Sequence, residues 1–339
     1  MYLCAMIFVT GGTGLVGSHI LLKLSQRGKE FKALKRASSS LEVCKSIFSY
    51  YKSDDFFAKI NWVSGDINDI PSLESGMQDC DMLLHCAGLV SFAPSDVELL
   101  KKINIEGTAN IVNIALSNDI KKLGYVSSIA TLGRNSTTDI VDEECHFKAT
   151  KLDSNYALSK YYAEQEVWRA VAEGLDAVIV NPSVILGPGD WTKGSSQIFE
   201  KIHDGLKYYS SGSTGYVDVD DVAEALLQLF FSDVKNERFI VNGENLKYRD
   251  CFDRIAENLK TPKAIIKITP FLKEIAWRLE AVRSFLSGKK PLLTKETANS
   301  GMTTSKFSSA KIEKVIGFKF TDINTTIKKY SDWFIADLM

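Results

Sequence analysis

Tyr156 and Lys160 stand four residues apart in the segment Tyr156-Ala157-Leu158-Ser159-Lys160. On a helix this spacing puts a phenol and an ammonium on one face. A free tyrosine ionises near pH ~10. A nearby ammonium favours the phenolate, so the pair is expected to lower that value and make the phenol a proton donor and acceptor near neutrality. Upstream, Val126-Ser127-Ser128 ends an apolar run. A hydroxyl there can donate to a carbonyl oxygen and stabilise the alkoxide that develops on it. Ser128 is the candidate donor; Ser127 competes with it, and its other use is to cap the strand end. Asn104 lies in the preceding helical pattern. It either bridges the backbone to Lys160 or is an ordinary polar helix residue.

A second constellation stands near the start: Thr10-Gly11-Gly12-Thr13-Gly14-Leu15-Val16-Gly17. It follows a strand pattern and opens a helical one. Gly11 permits a tight turn, Gly14 lets backbone approach phosphates at the positive end of the helix dipole, and Gly17 lets the helix pack close to the sheet. The run suits the pyrophosphate of a dinucleotide. The second strand ends in Ala33-Leu34-Lys35-Arg36-Ala37-Ser38-Ser39-Ser40. An NAD site usually places a carboxylate there to accept from the ribose 2′-hydroxyl, and Glu30 lies at the wrong end. Arg36 can fork onto a 2′-phosphate, Lys35 adds charge and Ser38 can donate. The pattern favours NADP(H) over NAD(H); the alternative leaves both cations as solvated surface groups. Asp66-Ile67, after the third strand, are candidates for the adenine edge. Ala87-Gly88, after the fourth, are small enough for a cofactor to lie close.

These groups need a frame. Apolar runs at residues 7–10, 31–35, 61–64, 82–86, 123–127, 177–180 and 239–242 read as strands, and helical patterns at 15–27, 96–116 and 156–173 lie between them. Buried strands alternating with helices predict an α/β fold with a doubly wound parallel sheet. Ligands in such sheets sit outside the carboxyl ends of the strands. The dinucleotide-binding domain is expected over 1–182 and 214–243. A smaller, mostly helical substrate lobe is expected over 183–213 and 244–339.

The chain has 339 residues, 45% hydrophobic, with a formal net charge of −1. A near-zero balance offers no global field for nucleic acid or anionic membrane. Six cysteines (4, 44, 80, 86, 145, 251) without Cys-x-x-Cys, and four histidines without metal-type spacing, argue against a disulfide framework or a metal site. Residues 1–10 are apolar but run straight into the glycine loop, so they read as a first strand rather than a signal peptide. No membrane span is expected, and the location expected is the cytoplasm. The stretch 264–286 carries Lys267, Lys273, Glu274, Arg278, Glu280 and Arg283, which predicts an amphipathic helix packed on the rest of the protein, with membrane-surface contact as the alternative.

Together these pieces resemble the extended short-chain dehydrogenase/reductases. The resemblance is carried by residues 10–17, Gly65-Asp66-Ile67, His85-Cys86-Ala87-Gly88, Asn104-Ile105-Glu106-Gly107-Thr108, Val126-Ser127-Ser128, residues 156–160 and Asn181-Pro182-Ser183-Val184-Ile185-Leu186-Gly187-Pro188-Gly189. Within that family the chain is most similar to the dihydroflavonol-reductase-like and 3β-hydroxysteroid-dehydrogenase-like branches. The resemblance implies a Rossmann fold. It also implies hydride transfer from nicotinamide C4 to a carbonyl carbon, with Tyr156 giving the proton, Ser128 polarising the oxygen and Lys160 tuning the tyrosine and orienting the ribose. Ser128 is carried over as catalytic because Gly133 lies five residues beyond it. Cofactor contacts are implied at Thr10, Thr13, Leu15, Val16, Cys86, Ser127, Pro182, Ser183 and Val184, with the last three near the carboxamide.

The same family holds nucleotide-sugar epimerases and dehydratases. Dehydratases carry an Asp-Glu pair after the hydroxyl residue, where this chain has Ile129-Ala130. Many sugar-nucleotide enzymes also place an arginine before the segment read here as Val217-Asp218-Val219. Candidate pocket residues Leu89, Val90, Phe92, Ile185, Trp191, Phe199 and Tyr216 favour a small hydrophobic carbonyl substrate, although packing of the lobes is an equally simple use for several. A non-catalytic NADP-binding regulator is the reading from another class. Relatives occur as monomers and as homodimers.

Overall fold

The computed structural model describes residues 5–133, 140–150, 153–287, 291 and 293–339. The first four residues of the expected first-strand segment, Cys4 among them, lie outside the described residues. In chain order the strands are β1 (Ile7–Thr10), β2 (Phe31–Lys35), β3 (Asn61–Ser64), β4 (Met82–His85), β5 (Lys122–Val126), β6 (Ile140–Val141) and β7 (Asp176–Pro182). They continue as β8 (Val184–Leu186), β9 (Tyr208–Tyr209), β10 (Ser213–Asp218), β11 (Glu237–Val241), β12 (Glu244–Lys247), β13 (Ile266–Lys267) and β14 (Lys306–Phe307). Seven of them form one parallel sheet in the order β11-β7-β5-β4-β1-β2-β3. The order reverses between β1 and β4, which opens a crevice at their carboxyl ends.

Alternation along the strands builds a core on each face. Ile7, Val9, Met82, Leu84, Val178 and Val180 face one side, where the helices Leu15–Gln26 and Val219–Phe231 cover them. Phe8, Leu83, Leu123, Tyr125, Ala177 and Ile179 face the other, beneath the helices Gly107–Ser117 and Asn155–Ala172. With both faces covered, the central strands β1 and β4 are buried along their whole length, while β2 and β3, at one edge of the sheet, keep partly exposed polar residues.

Beyond Pro182 the chain forms a three-stranded sheet, β12-β10-β8. The expected boundary at 214 runs through β10, which pairs with strands on both of its sides. The helix Pro270–Ser287 departs from its expected packing: none of its residues is buried. Its half-buried side carries Leu272, Lys273, Trp277, Glu280 and Ser284, while Phe271, Leu279, Val282, Phe285 and Leu286 are exposed.

Candidate active site

The Asn155–Ala172 helix begins at Ser154, whose hydroxyl accepts from the Ala157 N–H at 3.0 Å. This cap fixes the turn that presents Tyr156. The phenol is half-buried, hydrogen-bonds the Ser128 hydroxyl and meets Phe92 edge-on at 5.5 Å. Ser128 sits just past β5 and caps a short 3₁₀ turn, its oxygen accepting from the Ala130 N–H at 3.1 Å.

Lys160 lies one turn along the same helix and is buried. Its Nζ donates to Tyr125 Oη at 2.8 Å and to the Val126 carbonyl at 3.0 Å. Burial brings its ammonium down to about 8, against the opposing pull of Glu164. The expected effect on Tyr156 is reversed. The phenol is raised, because desolvation outweighs the hydrogen bond from Ser128. The lysine makes its hydrogen bonds to Tyr125 and Val126 instead.

Asn104 is buried in a π-helical turn, Lys101–Glu106. Its Oδ1 accepts from the Leu89 N–H at 2.7 Å, and its Nδ2 donates to the Leu89 carbonyl at 3.0 Å and to Ser159 Oγ at 2.9 Å. It therefore braces the loop after β4 against the Tyr156 helix and makes no direct hydrogen bond to Lys160. Gly88 passes close by: a methyl there would lie 3.8 Å from Lys160 Nζ.

Ser127 and Ser128 part company. Ser127 is buried and donates to Glu164 at 2.5 Å. Its hydroxyl is thereby engaged with that carboxylate. Glu164 also accepts from Thr131 at 2.8 Å, from Asn181 at 2.8 Å and from Arg238 at 3.2 Å. This buried carboxylate was not anticipated, although it lies four residues beyond Lys160 on the same helix face. Tyr125 was missed as well, and His85 and Thr108, named only within segments that carry the resemblance, were given no role. His85 Nδ1 meets Thr10 Oγ1 at 2.6 Å and His85 Nε2 meets Thr108 Oγ1 at 3.0 Å. Thr108 in turn hydrogen-bonds Tyr125. The partners lie too far apart in sequence for spacing to reveal them.

At the switch point the glycine run forms a cradle. Gly11 has φ +73°, and a Cβ on it would come within 2.5 Å of the Ala87 nitrogen. A Cβ on Gly17 would come within 2.1 Å of the Gly11 carbonyl oxygen. Packing alone therefore requires glycine at both positions. At Gly14 a Cβ would meet only the Gly11 oxygen, at 3.4 Å, so nothing in the protein demands glycine there. Gly14 caps the Leu15–Gln26 helix without a side-chain acceptor. Uncapped N–H groups at a helix start suit a phosphate. Thr13, Leu15 and Val16 are half-buried beside it. Thr10 is instead buried, its hydroxyl engaged with His85 and the Ala87 N–H.

Lys35 ends β2 half-exposed, and Arg36 and Ser38 are exposed in a turn closed by the Ser39 N–H on the Arg36 carbonyl at 3.0 Å. Asp66 spends its side chain on its own loop, accepting from the Asn68 N–H at 2.9 Å. Ile67 is buried against Gly107. Cys86 and Ala87 are half-buried and Gly88 is exposed at the end of β4. Pro182 and Ser183 are buried, Ser183 donating its N–H to the Val241 carbonyl at 3.0 Å, and Val184 is half-buried.

The expected pocket divides. Leu89, Phe92 and Ile185 are half-buried and Val90 is exposed, with Phe92 against the phenol. Phe199 and Tyr216 belong to the core and have no exposed surface. Trp191 packs edge-on against Phe199 at 5.6 Å and Phe334 at 5.2 Å. These three hold elements together, because a large aromatic between packed elements is taken up as core.

Residues 7–241 match the model of the NAD dependent epimerase/dehydratase family. The chain is 30% identical over 335 residues to a putative dihydroflavonol 4-reductase of Synechocystis sp., covering 96% of this chain and 94% of that protein. It is 26% identical over 262 residues to cinnamoyl-CoA reductase 1 of Petunia hybrida, covering 69% and 72% respectively. The crystal structure of gox2253 superposes with a TM-score of 0.80 at 28% identity, covering 98% of each chain.

Proposed function

This chain belongs to the NAD dependent epimerase/dehydratase family, and we propose that within it the protein is an NADPH-dependent reductase, or the reverse dehydrogenase, acting on a carbonyl or alcohol of a small hydrophobic substrate. The observation that carries this reading is the hydrogen-bonded meeting of the Tyr156 phenol and the Ser128 hydroxyl beside Phe92. Relatives named as reductases support the same direction.

The chain's own groups suit a pyridine dinucleotide: an uncapped helix start, a glycine cradle, and Arg36 where an NAD site would hold a carboxylate. When bound, the nicotinamide supplies the hydride that the carbonyl carbon accepts, or takes it back in oxidation. The protein manages the oxygen. As the carbon–oxygen π bond breaks, Tyr156 gives its phenolic proton to that oxygen. Burial keeps the phenol protonated at neutral pH, the state a donor needs. Ser128 donates a hydrogen bond to the same oxygen, where negative charge develops. Lys160 is held beneath them to orient ribose hydroxyls. Its ammonium, brought down to about 8, gives the site a group that titrates just above neutrality.

Ile129–Thr131 forms a short turn directly after Ser128, where a dehydratase carries its Asp-Glu pair. The test is NADPH consumption with a panel of hydrophobic aldehydes and ketones, for the wild type and Tyr156→Phe. The wild type should oxidise NADPH only with a carbonyl present. The variant should lose roughly 10²–10⁴-fold in kcat while binding NADPH as before. NADPH binding without carbonyl-dependent consumption would favour a regulator. Conversion of a nucleotide sugar without net cofactor loss would favour an epimerase.

A further inference from the structure

The helix Pro270–Ser287 is amphipathic the wrong way round for a helix packed on its own protein. Phe271, Leu279, Val282, Phe285 and Leu286 are 76%, 65%, 56%, 88% and 78% exposed, and Ile275 is exposed beside them. Their spacing of three and four residues puts them on one stripe. Lys273 and Glu280, on the inward side, have side chains only 17% and 14% exposed. Lys273 Nζ is tied to Asn299 Oδ1 at 2.7 Å. The strand before the helix adds the exposed pair Ile265 and Ile266 and the exposed Lys267.

Charge tells which occupant fits. Residues 260–287 carry six Lys/Arg against two Asp/Glu, in a chain whose overall net charge is −1. Lys263, Lys273, Arg278 and Arg283 are paired with Glu257, Glu274 and Glu280, so the surplus beside the stripe is carried by the exposed Lys260 and Lys267. A second copy docked about a two-fold axis would set this basic surplus against itself. A span is excluded for the described residues, because no helix is long and apolar enough to cross a membrane. An apolar stripe flanked by cations matches an anionic lipid surface, into which the stripe sinks while Lys and Arg reach the headgroups.

We propose that the outward face of the Pro270–Ser287 helix docks the protein on anionic bilayers. The docked face is linked to the active site. Lys273 holds Asn299 in the helix Lys295–Ser300, and in the same helix Glu296 accepts from Asn155 Nδ2 at 2.9 Å, next to Tyr156. The docking itself does not depend on the reductase reading, and its test reads binding alone.

The test is flotation of the whole protein with vesicles of phosphatidylcholine, with and without phosphatidylglycerol, at low and high salt. Binding should be strong only with phosphatidylglycerol and should weaken with salt as the charges are screened. Leu279→Glu with Phe285→Glu should reduce binding by roughly tenfold or more for each side chain withdrawn from the apolar phase. A cooperative urea unfolding transition like that of the wild type shows that the variant is folded. If it does not fold, Lys260→Glu with Lys267→Glu serves instead, leaving the stripe intact and removing the preference for phosphatidylglycerol. Absence of vesicle binding by the wild type would overturn the proposal. So would a wild-type dimer that the double glutamate variant converts to monomer, which would assign the stripe to a second copy.

Discussion

At the scale of single residues, two neighbouring serines have different fates. Ser127 is buried on Glu164, whereas Ser128 reaches the phenol. Ser128→Ala should lower kcat by roughly 10²–10³-fold with little change in unfolding free energy, because a hydroxyl at the reacting oxygen acts mainly in the transition state. Ser127→Ala should do the opposite. It removes a hydrogen bond to a buried carboxylate, worth roughly 1.5–3 kcal/mol, and leaves turnover largely intact. Steady-state kinetics and urea unfolding of both variants separate the two roles; equal effects on kcat would undo the assignment. Arg36 is exposed at the end of β2. Arg36→Ala should weaken NADPH by roughly tenfold to a hundredfold, the loss of a charge-assisted pair. NADH should hardly change. Titration calorimetry with both cofactors decides this, and equal weakening would make Arg36 a general surface cation.

At the scale of elements, the π-helical turn Lys101–Glu106 sets Asn104 between the loop after β4 and the Tyr156 helix. Such turns interrupt a helix to aim a side chain. Asn104→Ala removes all three hydrogen bonds and should lower kcat by roughly tenfold to a hundredfold, because a displacement of about 1 Å at the reacting atoms has that effect. NADPH affinity, measured alongside, should stay near the wild-type value; an unchanged kcat would leave Asn104 a purely structural brace. Sequence patterning foretold elements of this size unevenly. The seven strands of the main sheet were legible because each carries a short apolar stretch set between helical patterns. The sheet β12-β10-β8 was not, since strands of three to six residues with mixed polarity carry no period. Tyr156, Lys160 and Ser128 stood out through helix spacing and strand-end position. Glu164 could have been found by the same spacing from Lys160. Phe199 and Tyr216 misled because an aromatic side chain has the same sequence signature in a core as in a pocket.

At the scale of the whole molecule, a buried line of polar groups crosses the switch point and joins the glycine cradle to the Asn155–Ala172 helix. It runs from Thr10 through His85, Thr108 and Tyr125 to Lys160. Its weak point is His85, which burial, aided by the Lys160 charge, brings down to about 3. In the unfolded chain a histidine titrates near ~6.5. Between these values the unfolded state binds a proton that the folded state refuses. The contribution of His85 is therefore complete above about 6.5 and is lost as pH falls toward 3, at roughly 1.4 kcal/mol per pH unit. Other groups bear on the same range. His19 and Asp220 are lowered and act in the same direction, while Glu143 and Asp221 are raised and oppose it. A raw acid-unfolding curve would mix them, so the variant His85→Gln isolates the one proton. It should be less stable than the wild type at neutral pH, having lost the ring's two hydrogen-bonded nitrogens. As pH falls below about 6.5 the gap should close by roughly 1.4 kcal/mol per unit, since only the wild type must exclude that proton. Urea unfolding of both proteins across this range measures the gap. A gap independent of pH would mean that His85 is already protonated in the fold, and the line from Thr10 to Lys160 would then carry a second buried cation.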